Sequence, residues 1–185
     1  MAKQSQTEVA VLAALSIEPM TGYALREAIT TQLGSFWSES FGQIYPALAR
    51  LRSAGLVSTE QGTSGSAAPH QLTAAGHARL VELLLESAEP QAPRNGLLLR
   101  LFFGNVLGPS ACRTLIAGAR ERATAHLTAL AVARTEAEGA LATSPQAPFW
   151  LITISAGEHA ARAQLAWASE AAEVLAHLEQ RGQAR

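Results

Sequence analysis

Phe36–Val57, FWSESFGQIYPALARLRSAGLV, is the stretch whose reading decides the fold. Ile44, Leu48 and Leu51 recur at i, i+4 and i+7, so they mark the inward face of a helix lying within Ser40–Ala54. At about 100° per residue, Gln43 and Arg50 share one exposed flank, while Tyr45 and Arg52 share the other. Pro46 carries no N–H and suits only a first turn, so regular helix is expected to begin near Gly42–Gln43. Gly55 then stops the helix, as a glycine accepting the left-handed conformation does.

The flanking segments build a unit around that helix. Upstream, Thr7 is a helix-cap candidate, and Val9, Leu12, Ala13 and Ile17 form a stripe that Pro19 ends. Thr21 and Gly22 open a second helix, with Tyr23, Leu25, Ala28, Ile29 and Leu33 as its apolar positions and Gly34 as its stop. Downstream, Leu56–Glu60 reads as a strand with Leu56 inward. Gln61–Ala68 reads as a glycine- and serine-rich turn, and Pro69–Leu72 as the returning strand. Three helices followed by a hairpin is the order of a winged helix-turn-helix. Thr73 then caps a fourth helix running to about Ser87.

The second half has a different texture. Residues 89–96, EPQAPRNG, form the linker, which divides a winged domain over 1–88 from a helical domain over 97–185. Leu97–Val106 is apolar apart from Arg100 and Asn105. Ser110 is expected to cap an alanine-rich helix reaching about Leu141. Thr143–Pro148 reads as a break, Phe149–Ile154 as a short apolar run, and Gly157 as the start of a last helix, Glu158–Gln180. In that helix Ala160, Ala163, Trp167, Ala171, Val174 and Leu178 make one stripe, and Leu165, Ala168, Ala172 and Leu175 a neighbouring one. Together they are wider than packing against a single helix requires. A second subunit is therefore expected to cover part of them; the alternative is that the long alanine-rich helix covers both. Glu158 and Arg162 stand at the supportive i, i+4 spacing.

Composition limits the functions open to this chain. It has 185 residues, a net charge of −1 and only 16% charged residues, so no global positive field points to nucleic acid. Up to residue 85, Lys3, Arg26, Arg50, Arg52 and Arg79 face six glutamates. Any DNA binding must come from local geometry. Cys112 is the only cysteine, which rules out an intrachain disulfide and points to a reducing, cytoplasmic setting. Leu97–Leu107 is the longest apolar run and is far shorter than the roughly 20 residues of a membrane span, so no membrane partner is expected. Aspartate is absent, and the histidines at 70, 77, 126, 159 and 177 are scattered without metal-ligand spacing. No enzyme, metal site or cofactor is expected.

Three segments resemble the PadR family of bacterial transcriptional regulators: PMTGYALREAI at 19–29, FGQIYPALARLRSAGLV at 41–57 and LTAAG at 72–76. NGLLLRLFFG at 95–104 and FWLITISAGEHAARAQLAWASEAAEVL at 149–175 look like the C-terminal domain of its longer members. The resemblance implies a mainly α protein with an N-terminal winged helix-turn-helix and an all-helical C-terminal dimerisation domain. It implies a homodimeric, ligand-responsive repressor on a palindromic operator in double-stranded DNA. The alternative is a helical small-molecule or protein-binding dimer whose winged domain has lost its affinity for DNA.

The DNA-binding candidates are Thr21, Ser40, Gly42, Gln43, Tyr45, Pro46, Arg50 and His70. Gln43 and Arg50 suit base or backbone contacts, or are solvated surface residues. Ser40 and Gly42 could offer backbone N–H groups to phosphate. Tyr45 and Pro46 stand in the family's IYP motif, and Thr21 stands where the family more often has histidine. Tyr23 reads as core. In the wing, Ser66–Gln71 has lost the family's usual basic residue and aromatic, leaving His70 as its one group able to become cationic. About three to five phosphate contacts per dimer are therefore expected. Trp150 and Trp167 are candidates for stacking a small aromatic effector, against plain core packing; Trp37 is weighed in the same way.

Overall fold

The computed structural model describes residues 6–32, 41–59, 68–86 and 95–183, and divides into two compact units, 1–90 and 91–185. The first comprises α1 (Gln6–Leu15), α2 (Gly22–Gln32), α3 (Phe41–Ser53), β1 (Val57–Thr59), β2 (His70–Leu72) and α4 (Ala74–Leu85). The second comprises α5 (Gly96–Phe102), α6 (Gly104–Leu107), α7 (Pro109–Gly139) and α8 (Ala147–Gln183). Ser40, Trp37, Leu33, Gly34, the wing tip at 60–67 and most of the expected linker lie outside the described residues.

Helix α1 is the centre of the first unit. Thr7, Ala10, Val11, Leu12, Ala14 and Leu15 are buried over more than half of its circumference, and Val9 and Ala13 are half-buried. Thr7 is thus an interior position rather than the expected cap, and Ile17 lies past the helix end, half exposed. α3, α2 and α4 pack around it through Ile44, Ala47, Leu48, Leu51, Leu25, Ile29, Leu80 and Leu83. Leu12 is fully buried, and removing such a side chain typically costs about 3 kcal/mol.

The wing is anchored at its base. β1 and β2 pair antiparallel, with Val57 opposite Leu72, Ser58 opposite Gln71 and Thr59 opposite His70. Val57 is buried at 3% exposure, and Leu56, the residue expected inward, is half-buried and packs against the same core just before the strand. Gly55 takes φ 71°, which lets Leu56 N–H reach back to the Leu51 carbonyl at 3.0 Å and close α3. Thr73 accepts from Gly76 N–H at 3.0 Å, and its own hydroxyl points to the Gly55 and Leu56 carbonyls at 2.9 and 3.0 Å. Gly76 is required here. A Cβ on it would lie inside the Leu56 carbonyl oxygen.

The second unit is an antiparallel pair of long helices. Arg113 meets Glu179 at 2.7 Å and Arg134 meets Glu158 at 2.8 Å, which sets their register. Pro109 stands in the first turn of α7 behind Gly108 at φ 81°, so the helix opens two residues earlier than the expected Ser110 cap implied. α8 is continuous from Ala147, and takes in both Phe149–Ile154 and Gly157. Gly157 is no break. It packs closely on α7, since a Cβ there would stand 3.1 Å from a Leu130 methyl.

The two stripes of α8 part company. Ala161 and Ala168 are buried, and Leu165, Ala172 and Leu175 are half-buried beside them. The other stripe lies roughly a third of a turn round the helix. In it Ala160, Ala163, Val174 and Leu178 are exposed, and Trp167 and Ala171 half-buried.

Candidate nucleic-acid interface

Helix α3 presents a face with a smooth centre and polar edges. Ile44, Ala47, Leu48 and Leu51 are buried at 5% exposure or less. The opposite side therefore runs through Gly42, Pro46, Ala49 and Ser53, all exposed. Its flanks are Gln43 with Arg50, and Tyr45 with Arg52. Small residues along the centre allow close approach of a flat or grooved surface, and the flanks carry the donors and acceptors.

Pro46 is the sixth residue of α3, further in than expected. Its missing N–H leaves the Gly42 carbonyl without a helical partner. Gly42 faces solvent, so water can hydrate that carbonyl and the helix survives the proline. Tyr45 is 49% exposed, and its ring lies over the start of α2: a Cβ on Gly22 would stand 2.9 Å from the ring's Cε1. Thr21 caps α2 by accepting from Ala24 N–H at 3.1 Å. The structure thus brings Thr21, Gly22 and Tyr45 together at one end of the face. Tyr23, expected in the core, is 64% exposed.

The candidate Arg50 and its neighbour Arg52, which is not among the candidates, differ in their pairing. Arg50 donates from Nε to Glu8 at 2.8 Å, linking α3 to α1. Its charge is therefore partly matched before any ligand arrives. Arg52 has no carboxylate in salt-bridge reach among the described residues. The helical count already put Arg52 on Tyr45's flank, which was the signal that could have ranked it above Arg50.

His70 is the candidate that the structure turns inward. Only 9% of it is exposed, and its backbone exchanges hydrogen bonds with Met20, His70 N–H to the Met20 carbonyl at 2.7 Å and Met20 N–H to the His70 carbonyl at 2.9 Å. Nδ1 is buried without a hydrogen-bond partner among the described residues. Burial, and then the nearby Arg52 charge, hold its pKa below 6.5. A neutral, enclosed imidazole is a poor phosphate ligand, so His70 belongs to the wing's base and not to its grip.

In the second unit, Trp150 is 40% exposed and Trp167 half-buried. Seventeen residues apart on one helix, they stand about 25 Å from each other and cannot enclose one ligand within a chain. Glu158, 8% exposed, accepts from Arg134 Nε and Nη2 at 2.8 and 3.1 Å and from Arg162 Nη2 at 3.1 Å. The Arg134 hydrogen bond is the main reason its carboxyl titrates below the usual range. Among the described residues no three His, Cys, Asp or Glu side chains gather to hold a metal, and no helix is long and apolar enough to cross a membrane.

Residues 11–82 match the Transcriptional regulator PadR-like family, and residues 93–176 match the Virulence activator alpha C-term family. The negative transcriptional regulator PadR of Bacillus subtilis (strain 168) is 30% identical over 98 residues, 51% of this chain; the match spans about half, 54%, of that relative. Among solved structures, the PadR-like regulator BC1756 of Bacillus cereus superposes with a TM-score of 0.76 at 22% identity, over 92% of this chain and 98% of that one. B. subtilis PadR in complex with operator DNA gives 0.75 at 20% identity, over 92% and 99%. The same regulator with p-coumaric acid gives 0.70 at 21% identity, over 93% and 98%. At these identities the likeness establishes a common fold.

Proposed function

We propose that the chain is a PadR-like transcriptional regulator with a helical C-terminal region, a sequence-specific, ligand-responsive, homodimeric repressor. The observation that carries this reading is the outward face of α3, a small-residue centre edged by Gln43 and Tyr45 in a winged unit. Residues 1–88 bind DNA in this proposal and residues 97–185 pair two copies, with 89–96 as linker. Such a face fits a major groove, where Gln43 would read an adenine edge, Ala49 a thymine methyl, and Tyr45 and Arg52 the backbone. The outward stripe of α8, from Ala160 to Leu178, is the proposed dimer seam. Two-fold symmetry then sets two α3 helices about one DNA turn apart. The partners proposed are operator DNA and a small aromatic effector, the two classes of molecule with which B. subtilis PadR has been solved. Catalysis has no part in the proposal, and action on DNA places the protein in the cytoplasm.

Footprinting on the DNA upstream of its own gene tests the proposal. A protected palindrome is expected, with a salt slope equivalent to about three to five phosphates per dimer. Gln43→Ala is expected to weaken operator binding by about 10- to 100-fold and to relax specificity at one position per half-site. Arg52→Ala should weaken all sequences alike. Absence of protection would favour a binding dimer with a degenerate winged domain. Two features keep that reading alive: Glu8 already occupies Arg50, and His70 is enclosed.

A further inference from the structure

Of the ion pairs in the first unit, that of Glu8 with Arg50 joins two helices, whereas Arg79 reaches Glu82 and Glu86 at the end of its own helix. Glu8 sits in the first turn of α1, where the helix dipole favours a negative charge, and its side chain is only 17% exposed. Arg50 sits in the last turn of α3 and keeps 55% of its side chain exposed. The contact between them is single, from Nε to Oε1 at 2.8 Å. It leaves the N–H groups of Nη1 and Nη2 without a hydrogen-bond partner among the described residues.

This guanidinium stands on the face that the proposed function turns to DNA. Arg50 shares the flank of Gln43 and lies two turns further along it, about 10 Å away. A major groove is about 12 Å wide, so a helix whose Gln43 meets a base edge brings Arg50 within reach of the phosphates on the groove's wall. The Nη edge is open to such a phosphate, but the Glu8 carboxylate stays beside the same guanidinium and repels the newcomer. Arg52, on the other flank, has no carboxylate in salt-bridge reach among the described residues. One helix thus carries two arginines of unequal worth to an anion. An ion pair with an exposed partner adds little to a fold, because solvent screening and side-chain ordering offset the attraction. The consequence of Glu8 therefore falls on the charge that α3 can offer.

We propose that Glu8 is a built-in competitor of the DNA phosphate for Arg50, a positioning residue that limits how many phosphates the winged unit neutralises. This rests on the DNA-binding reading above and deepens it. Phosphate contacts carry affinity and little sequence information, so Glu8 restrains binding to operator and random DNA alike.

The test measures fluorescence polarisation of the full chain on the duplex upstream of its gene and on a random duplex, across a salt series. Glu8→Gln keeps an oxygen that can accept from Arg50 Nε and removes only the charge. It is expected to tighten both duplexes at least about ten-fold at low salt and to steepen the salt slope by about two phosphates per dimer. Glu8→Ala, which leaves no acceptor, should gain at least as much. Glu136→Gln in α7 makes the same change in net charge on an exposed residue and should alter neither affinity nor slope. In an Arg50→Ala background Glu8→Gln should lose its effect. A parent chain that binds neither duplex refutes the DNA-binding reading and this inference with it. A parent that binds while Glu8→Gln matches it in affinity and slope overturns this inference alone. So does weaker binding by Glu8→Gln, which would make the carboxylate a support that aims Arg50. An equal gain in the Arg50→Ala background also overturns it, and would leave only a general effect of charge.

Discussion

The two units place their large apolar side chains in opposite ways. In the first, Leu12, Leu25, Ile44 and Val11 are almost wholly enclosed; in the second, Leu130 and Ile116 are the side chains of that size so enclosed among the described residues. The interior of the second is lined largely by alanines, at 119, 123, 137, 147, 161 and 168. Phe102, Phe103, Val106, Phe149, Ile152 and Val174 lie on its outside, each more than half exposed. Four elements wrapped around α1 make a core that closes on itself. Two long helices make one layer, and a layer needs a second to bury its other face. The first unit encloses its core although Leu84 and Leu85 of α4 stay outside, and the exposed face of the second is the one the proposed dimer would cover.

The harshest way to break the closed unit is to fill its tightest point. Gly76→Ala puts a methyl group into the Leu56 carbonyl, a backbone atom fixed by Thr73, so the wing and α4 must separate. A loss of about 3 kcal/mol or more is expected in urea unfolding of the full chain. The helical signal of α7 and α8 should survive the first transition. One cooperative loss of both units would contradict their independence.

The open unit is broken from outside. Val174→Glu together with Leu178→Glu adds charge to two positions of α8 that are about half exposed. Monomer stability should barely change, while dimer dissociation measured by sedimentation should weaken at least about 100-fold. Ser169→Glu, on the polar side of α8, should leave assembly intact. An unchanged sedimentation profile in the double variant would remove the outward stripe from the interface.

How much of this was legible in the sequence follows the same division. Periodicity located α3, its buried Ile44, Leu48 and Leu51, and the order of elements around it, because a closed core imposes one inward face on each element. It was less informative for α1, whose buried arc takes in more than half of the helix and so leaves only a narrow outer edge. In the second unit glycine was misleading. Gly157 reads as a helix start, yet its purpose is to let Leu130 approach, and an inter-helix distance leaves no trace in local spacing. The site was half legible. The flanks of α3 follow from angular counting, whereas the Glu8 that holds Arg50 is 42 residues away and the Met20 that bridges His70 is in another element.

A gentler test concerns the ion cluster that ties α7 to α8. Arg134 and Arg162 hold the Glu158 carboxyl below its ordinary value of 4.5. A depressed carboxylate stabilises the fold above that ordinary value and loses its contribution as pH falls through the lower folded one. Glu158→Gln should therefore destabilise the helix pair at neutral pH and flatten the acid side of its stability profile. Equal acid slopes for variant and parent would mean that the cluster sets register without adding pH-dependent stability.

His70 offers the smallest effect and the sharpest contrast, because its window is separate from that of Glu158. Its folded pKa lies below 6.5, so as pH falls through 6.5 the unfolded chain takes up the proton first. Stability of the first unit is then complete above 6.5 and declines as pH drops toward the lower folded value, before Glu158 begins to titrate. His70→Gln should remove that decline while leaving the Met20 backbone bridge in place. Operator affinity of His70→Gln at neutral pH should equal that of the parent, since the enclosed imidazole makes no part of the proposed phosphate grip. A loss of affinity without a loss of stability would return His70 to the DNA surface and reopen the wing as a contact.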